Sequence, residues 1–466
     1  MSVTPLPTGF RLTLDVSTKR LTDDLWFGGT PPRVVRLTEA GRRAWRDLQH
    51  GPVASRTAGM LARRFTDAGL AHPVPPAGSI DGVTIVIPVH ERATDLTRCL
   101  AALGAAHPVI VVDDASRDAA AIGRVCARFG AMLIRRERNG GAGAARNTAL
   151  AHVRTEFVAF VDSDCEPPAG WLPPLLAHLA DPLVAAVAPR IAARAGDTWS
   201  GRYTTAHSSL DLGDAPARVA AGSRVSYVPT AALVVRRAVL ADMPFDETLR
   251  VGEDVDLIWR LNAADWRVRY APAVQVAHRE PTTWRGLLAR RFRYGTSAAP
   301  LAQRHPGDLA PLVLHPWPTV TVAGVLTRRP LVAAVGFAAS VLSMARALRR
   351  ADVPTDGVVA AMARATVQTG LGIGRYTTQF MAPVLVAGLV ARRTRFAAGA
   401  LLLGPVLTAW APDRRRLDPV RFTVGRLADE VAYGAGVWTG CVGARIAAPL
   451  RPAVVRRPLR IDAHRS

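Results

Sequence analysis

Residues 82–91, GVTIVIPVHE, followed by HPVIVVDDAS at 107–116, AMLIRRE at 131–137 and EFVAFVDSD at 156–164, decide the fold. Each is a short run of β-branched and other apolar residues without the alternation of a half-exposed strand, so each reads as a strand buried on both faces. Polar helical stretches at 93–106, 117–129 and 143–153 separate them. Such alternation predicts a parallel α/β sheet, since a parallel neighbour is reached only by a crossover. The four strands place their polar residues at their carboxyl ends, where ligands bind in sheets of this kind.

Working outward, the pattern loosens after 165 through DPLVAAVAPRI (181–191), a polar stretch at 196–224, SYVPTAALVVRR (226–237) and GEDVDLIWRLNAADW (252–266), a helix opened by acids. Upstream, FRLTLDV (10–16) and RVVRL (33–37) read as short strands. TEAGRRAWRDL (38–48) and SRTAGMLARRFTDAGL (55–70) read as helices, and HPVPPAGS (72–79) reads as a linker. The chain is therefore expected to hold a small α+β module over 1–80, an α/β domain over 81–304 and a helical region over 305–466. Leu37, Ala44, Trp45, Leu48, Leu61 and Phe65 are the expected core of the first.

The 466 residues are 49% hydrophobic and 21% charged, which excludes a disordered chain. The net charge of +22 calls for an anionic reader such as phosphate or lipid, and Lys19 is the sole lysine among 59 basic residues. Residues 301–466 concentrate the charge, with 22 arginines against 8 acids. They also hold uncharged stretches at 309–327, 330–345, 376–391 and 396–412, near or below the ~17–25 residues of a spanning helix. If all four spanned, alternate Arg-rich connections would face outward, against the positive-inside tendency. Helices on or dipping into the cytoplasmic leaflet suit the charges better, with true spans left open. Cys99, Cys126, Cys165 and Cys441 fit no disulfide or zinc spacing and suit a reducing compartment, and MSVTPLPTGF has no signal-peptide pattern. A cell-membrane protein facing the cytoplasm is the expectation.

The chemistry gathers at strand ends. Asp113–Asp114 and Asp162–Ser163–Asp164 bring together carboxylates that repel one another unless they hold a cation or accept from a ligand. An Asp-x-Asp turn can present both side chains to one hard divalent ion, which in turn neutralises a diphosphate. A solvated loop is the plainer alternative. Gly140, Gly141 and Gly143 open a helix whose free NH groups and nearby Arg146 would suit a phosphate, or else form only a tight turn. Glu253, Asp254 and Asp256 stand in a first helical turn, as dipole partners or with one of them a general base. His278 reads as a strand-end histidine or a metal ligand. Arg290, Arg291, Arg293 and Tyr294 read as a basic helix face or a diphosphate clamp.

IVIPVHER, VVDDAS, GAGAARN, FVDSD, GEDVD, VAH and RRFRYG, in that order across 82–297, resemble an inverting family 2 glycosyltransferase of the GT-A fold. The resemblance implies that Pro88, Val89, Glu91 and Asp114 line the nucleoside, with Asp114 accepting from a uracil NH. It implies further that Asp162 and Asp164, with His278, hold Mg²⁺ or Mn²⁺ on the UDP diphosphate, and that Asp254 deprotonates the acceptor. ARRFRYG is similar to the Q-x-x-R-W element of chain-extending members, with Arg290 for Gln and Tyr294 for Trp, and Arg290 and Arg293 would meet the diphosphate. LPTGFRLTLD, AHSSLDLG, SYVPTAALV, YGTSAAPLAQRHP and DEVAYGAGVW extend the resemblance to the actinobacterial pre-mycofactocin glycosyltransferase family over nearly the whole length. That family implies transfer of β-1,4-linked glucose from UDP-glucose to a peptide-derived cofactor precursor. The N-terminal helices resemble winged-helix-like, peptide-recognising modules of the PqqD type.

Two other enzyme readings and one non-enzymatic reading stand beside this one. Another family 2 glycosyltransferase could act on a cell-envelope lipid or polysaccharide. An NAD-dependent oxidoreductase would need its Gly-rich turn after the first strand, where IPVHERA stands. A nucleic-acid binder would interleave aromatics with its arginines, but only 6% of residues are aromatic and the arginines cluster beside apolar runs, so no nucleic-acid partner is expected.

Overall fold

The structure, a computed structural model, describes residues 4–78, 81–194, 196, 198–415 and 417–455. The chain forms two compact units. One takes the chain up to residue 195 with His207–Glu280, the other Gly196–Ala206 with the chain from Pro281 onward.

At the centre of the first unit is a mixed sheet. Its parallel half has the order Met132–Arg135, Val109–Asp113, Val83–Val89 and Phe157–Val161, with the two later strands on either side of the first. All seven residues of Val83–Val89 and all five of Phe157–Val161 are buried, as unbroken apolar runs require. The order reverses between Val83–Val89 and Phe157–Val161, a switch point of the kind at which α/β sheets bind ligands beyond the strands' carboxyl ends. Ala232–Arg236 adds antiparallel to Phe157–Val161, Val184–Arg194 pairs with it, and the long strand Arg267–Arg279 follows parallel to Val184–Arg194. Helices Ala93–Leu103, Ala119–Phe129 and Ala142–Leu150 follow the first three strands, as the alternation predicts. Together these features form the GT-A architecture.

The N-terminal residues form helices Glu39–His50 and Arg56–Asp67, capped by Thr38 and Ser55, whose side chains accept from Gly41 N and Ala58 N. All six expected core residues are buried. Sequence reasoning missed Trp26, which arrives on strand Leu25–Gly28 and meets Trp45 at a ring-centroid distance of 4.7 Å, while Trp45 stacks on Phe65 at 5.1 Å. The stretch expected to be a linker begins instead as strand Ala71–Val74, antiparallel to Arg11–Leu14, with Pro73 opposite Leu12. Pro73 is tolerated because this ladder has only two strands, so its missing NH breaks no central pairing. Ser79 of that stretch lies outside the described residues.

These helices pack within the same unit as the sheet. Arg63 donates to both carboxylate oxygens of Asp181 at 2.8 and 2.7 Å, with both side chains buried. One helical turn on, Asp67 accepts from Arg267 of the long strand at 2.8 Å.

The second unit is helical. Trp284–Thr296 packs against Pro419–Ala444, where backbone approaches at Gly295, Gly436 and Gly440 leave no room for a Cβ. Pro330–Arg350 and Arg395–Asp413 are, among the described residues, the two helices long and apolar enough to cross a membrane. Leu331 and Val390 are more than four-fifths exposed. The other apolar stretches fall short by length or are broken by proline, and Arg416 of the RRR run lies outside the described residues.

Candidate active site

Three strand ends meet at the switch point, and the loop after each is held by polar bonds. Val83–Val89 delivers Pro88 and Val89, in register with Val112 and Asp113. Beyond it, Glu91 takes φ 59°, a conformation costly for a side chain with a Cβ, and Ala115 does the same at φ 61° after the second strand. The two loops tie each other down. Glu91 N donates to Ser116 Oγ at 2.9 Å, and Arg117 N donates to Glu91 Oε1 at 2.8 Å.

Asp114 is buried and well supplied with donors. Gly140 N and Arg136 Nη1 donate to its Oδ1, each at 2.9 Å, and Gly141 N to its Oδ2 at 2.7 Å. A carboxylate has about four acceptor positions, so roughly one remains for a ligand NH. The Gly-rich turn therefore differs from its sequence reading, since the Gly140 and Gly141 NH groups bind Asp114 instead of standing open to a phosphate.

Arg146 also points elsewhere than the sequence suggested. It is 1% exposed, donates to Asp162 Oδ1 at 2.7 Å and to Glu253 Oε1 at 2.9 Å, and lies over the Phe245 ring. Its charge is spent on two carboxylates, and it links the Asp-Ser-Asp turn to the helix Glu253–Ala263. Burial first, and then the charge of Asp164, push the Asp162 carboxyl upward against the pull of Arg146.

The three first-turn acids of that helix divide their roles. Glu253 binds Arg146, and Asp256 binds Arg260 at 2.7 Å. Asp254 alone has no arginine partner among the described residues; Val255 N donates to it at 2.8 Å. Burial and the adjacent Glu253 charge push its carboxyl up to about 7. A group poised there can exchange a proton near neutrality.

Asp164 pairs with Arg92 and has His278 Nε2 3.5 Å from its Oδ1. The pairing of Cys165 with His278 across the antiparallel strands brings this about. His278 Nδ1 faces Glu280 Oε1 at 3.3 Å, and Glu280 accepts from Ser208 Oγ at 2.7 Å. A carboxylate behind an imidazole fixes its tautomer and leaves Nε2 as the outward ligand atom. Two cis ligands on one Mg²⁺ stand about 3 Å apart, so Asp164 and His278 fit a divalent ion with Asp162 beside them. Among the described residues no three of His, Cys, Asp and Glu are grouped so as to hold a metal ion by themselves.

Arg92 and Glu280 were missed by sequence reasoning, and Glu253, read there only as one of three first-turn acids, proves to be the partner of Arg146. Glu280 follows directly on the strand Arg267–Arg279 that carries His278. Arg290 and Arg293 belong to the second unit, on helix Trp284–Thr296, where Arg290 lies over the Tyr294 ring, Arg293 is exposed and the intervening Arg291 pairs with Asp429 at 2.6 Å.

Acids gathered at the strand ends beside the switch point, with an Asp-x-Asp turn among them, fit a glycosyltransferase. Residues 84–242 match the model of glycosyl transferase family 2. The pre-mycofactocin glycosyltransferases of two Mycobacterium tuberculosis strains, CDC 1551 and H37Rv, are each 38% identical over 97% of this chain and 100% of theirs. Glycosyltransferase AglE of Haloferax volcanii is 27% identical over 46% of this chain and 71% of its own. A mannosyltransferase from Pyrobaculum calidifontis, solved with GDP-Man and Mn²⁺, is 20% identical and superposes over 78% of this chain and 89% of its own, with a TM-score of 0.45. The chain belongs to the pre-mycofactocin glycosyltransferase family.

Proposed function

We propose that this enzyme transfers glucose from UDP-glucose, with inversion, onto pre-mycofactocin, and builds a β-1,4-linked oligoglucoside. Asp254 carries the reading, as the one acid of its helical turn left without an arginine. In this scheme Asp254 takes the proton of the acceptor hydroxyl, whose oxygen bonds to the anomeric carbon on the face opposite the diphosphate. The diphosphate departs with the bonding electron pair. Pro88, Val89, Glu91 and Asp114 receive the nucleoside, and Arg146 acts by orienting Asp162. Asp162, Asp164 and His278 are the residues to hold Mg²⁺ or Mn²⁺, which supplies positive charge against the leaving diphosphate.

The family relationship supports the acceptor, and the exposed apolar helices support work at the cytoplasmic face of an anionic membrane. Those helices also favour, as a second reading, an acceptor on a cell-envelope lipid. The deciding experiment incubates purified enzyme with UDP- and GDP-sugars, offering pre-mycofactocin or a polyprenyl acceptor, and follows nucleotide release and the anomeric configuration of the product. Release of UDP with a β-glucoside of pre-mycofactocin is expected. Turnover with the lipid acceptor alone would replace the proposal with the second reading.

A further inference from the structure

The seam between the N-terminal helices and the sheet is electrically unbalanced. Arg218 stands directly opposite Arg269 in the ladder, and Arg267 and Arg269 are two residues apart, so the three share one face of the sheet. That face meets helix Arg56–Asp67, since Arg218 donates to the Asp67 carbonyl at 2.5 Å and Arg267 to the Asp67 carboxylate. With Arg63 there are four guanidinium groups facing Asp67 and Asp181. Both acids are already engaged: Asp181 takes two bonds from Arg63 and one from Leu183 N, and Asp67 takes two from Arg267.

Arg269 is left over. It is 2% exposed, and none of its three guanidinium nitrogens has a hydrogen-bond partner among the described residues. Its ordinary attractions are to Asp67 and Asp181, at a distance, while Arg63 and Arg218 repel it. Burial lowers its pKa only to about 10, so the charge persists at neutral pH. Nearby, the Nδ1 of His178 is also buried and without a partner, and burial together with Arg269 pushes that imidazole down to about 4, so it is neutral and able to donate. An arginine fork facing no acceptor inside a protein leaves a large desolvation cost uncompensated. A planar or tetrahedral oxyanion supplies paired acceptors in the geometry that fork presents.

We propose that Arg269, with His178 at its side, binds a small oxyanion of the phosphate or carboxylate class in the seam between the N-terminal module and the catalytic sheet. The anion balances the excess cations and joins the two layers. Arg269 lies on the same strand as His278, nine residues before it.

The test melts full-length enzyme in detergent at constant ionic strength and pH 7, with potassium chloride replaced stepwise by potassium phosphate or potassium acetate. Wild type is expected to show a saturable rise in Tm with one of the two, on the order of 5 °C at hundredfold excess over its dissociation constant. Saturation with phosphate alone assigns free phosphate, and with acetate alone a carboxylate ligand. Arg269→Met should show only the shallow, non-saturating rise common to excluded salts. Equal curves for the two proteins would overturn the proposal. Should Arg269→Met not fold, crystals of the wild type soaked in sodium tungstate provide the second measurement. An anomalous peak within hydrogen-bond distance of the Arg269 guanidinium is expected, and water alone at that position would end the idea.

Discussion

Arg146 donates to Asp162 Oδ1 at 2.7 Å from a guanidinium that is itself almost wholly buried. Its other terminal nitrogen holds Glu253, so one side chain sets the Asp-Ser-Asp turn against the helix that bears Asp254. Arg146→Lys keeps the charge but cannot span both carboxylates, and kcat should fall about 10–100-fold, as for lost orienting groups. Arg146→Met leaves two acids facing each other in a buried place and should cost about 3–5 kcal/mol of stability. Melting curves beside initial rates separate the two outcomes. An Arg146→Lys enzyme with unchanged kcat would remove the positioning role.

Asp254→Asn should bind UDP-glucose as the wild type does while transfer falls about 10²–10⁴-fold, the usual weight of a general base. Calorimetric binding of the donor beside product formation is the measurement.

The pH dependence follows from the same group. Its carboxyl is held at about 7, so kcat/KM should rise with pH and level off above that value as the base ionises. Stability runs the other way. The folded state keeps a proton that the unfolded chain releases near 3.8, so the contribution of Asp254 is fully present below pH 3.8 and is lost as pH rises through 7. Asp254→Asn should therefore raise Tm at pH 8 and have much less effect near pH 4. An unchanged Tm difference across that range would contradict the assignment.

Asp164→Asn should remove most activity with the fold intact, and EDTA should do the same to the wild type, reversed by Mn²⁺ or Mg²⁺. Full turnover in EDTA would show that the acids at the strand ends serve another purpose.

Asp181→Asn strips the buried Arg63 of its counter-charge and should destabilise the first unit by about 3–5 kcal/mol. The same seam bears on deletion of residues 1–76, which would expose Asp181 and the cationic face of the long strand. Donor hydrolysis by the truncated chain, measured as UDP release without acceptor, distinguishes a recognition module from one the sheet needs for its own stability.

Three strands of the parallel half were legible because unbroken apolar runs such as Val83–Val89 have one common use, a strand with both faces covered; Met132–Arg135, read the same way, is instead the exposed edge strand, because nothing pairs beyond it. Asp254 was legible only as one acid among three; assigning it required seeing that Glu253 and Asp256 already hold arginines. Arg92, Glu280 and the Trp26 contact were not legible. Each depends on which distant segments meet, and local periodicity carries no record of that. The Gly-rich turn misled for the same reason, since its open NH groups are satisfied by Asp114, 26 residues earlier in the chain.

Cys165 and His278 face each other across a two-residue ladder, so the paired Asp164 and His278 come from places more than a hundred residues apart. Strand Arg267–Arg279 is also the last piece of the sheet to be made. On the ribosome, a chain emerging in order would display the strand ends at Val89 and Asp113 early and its Asp-Ser-Asp turn soon after, while the imidazole was still unsynthesised. That pair is therefore completed late in translation, and a nascent chain stalled before residue 278 would lack the strand that brings the imidazole to the Asp-Ser-Asp turn.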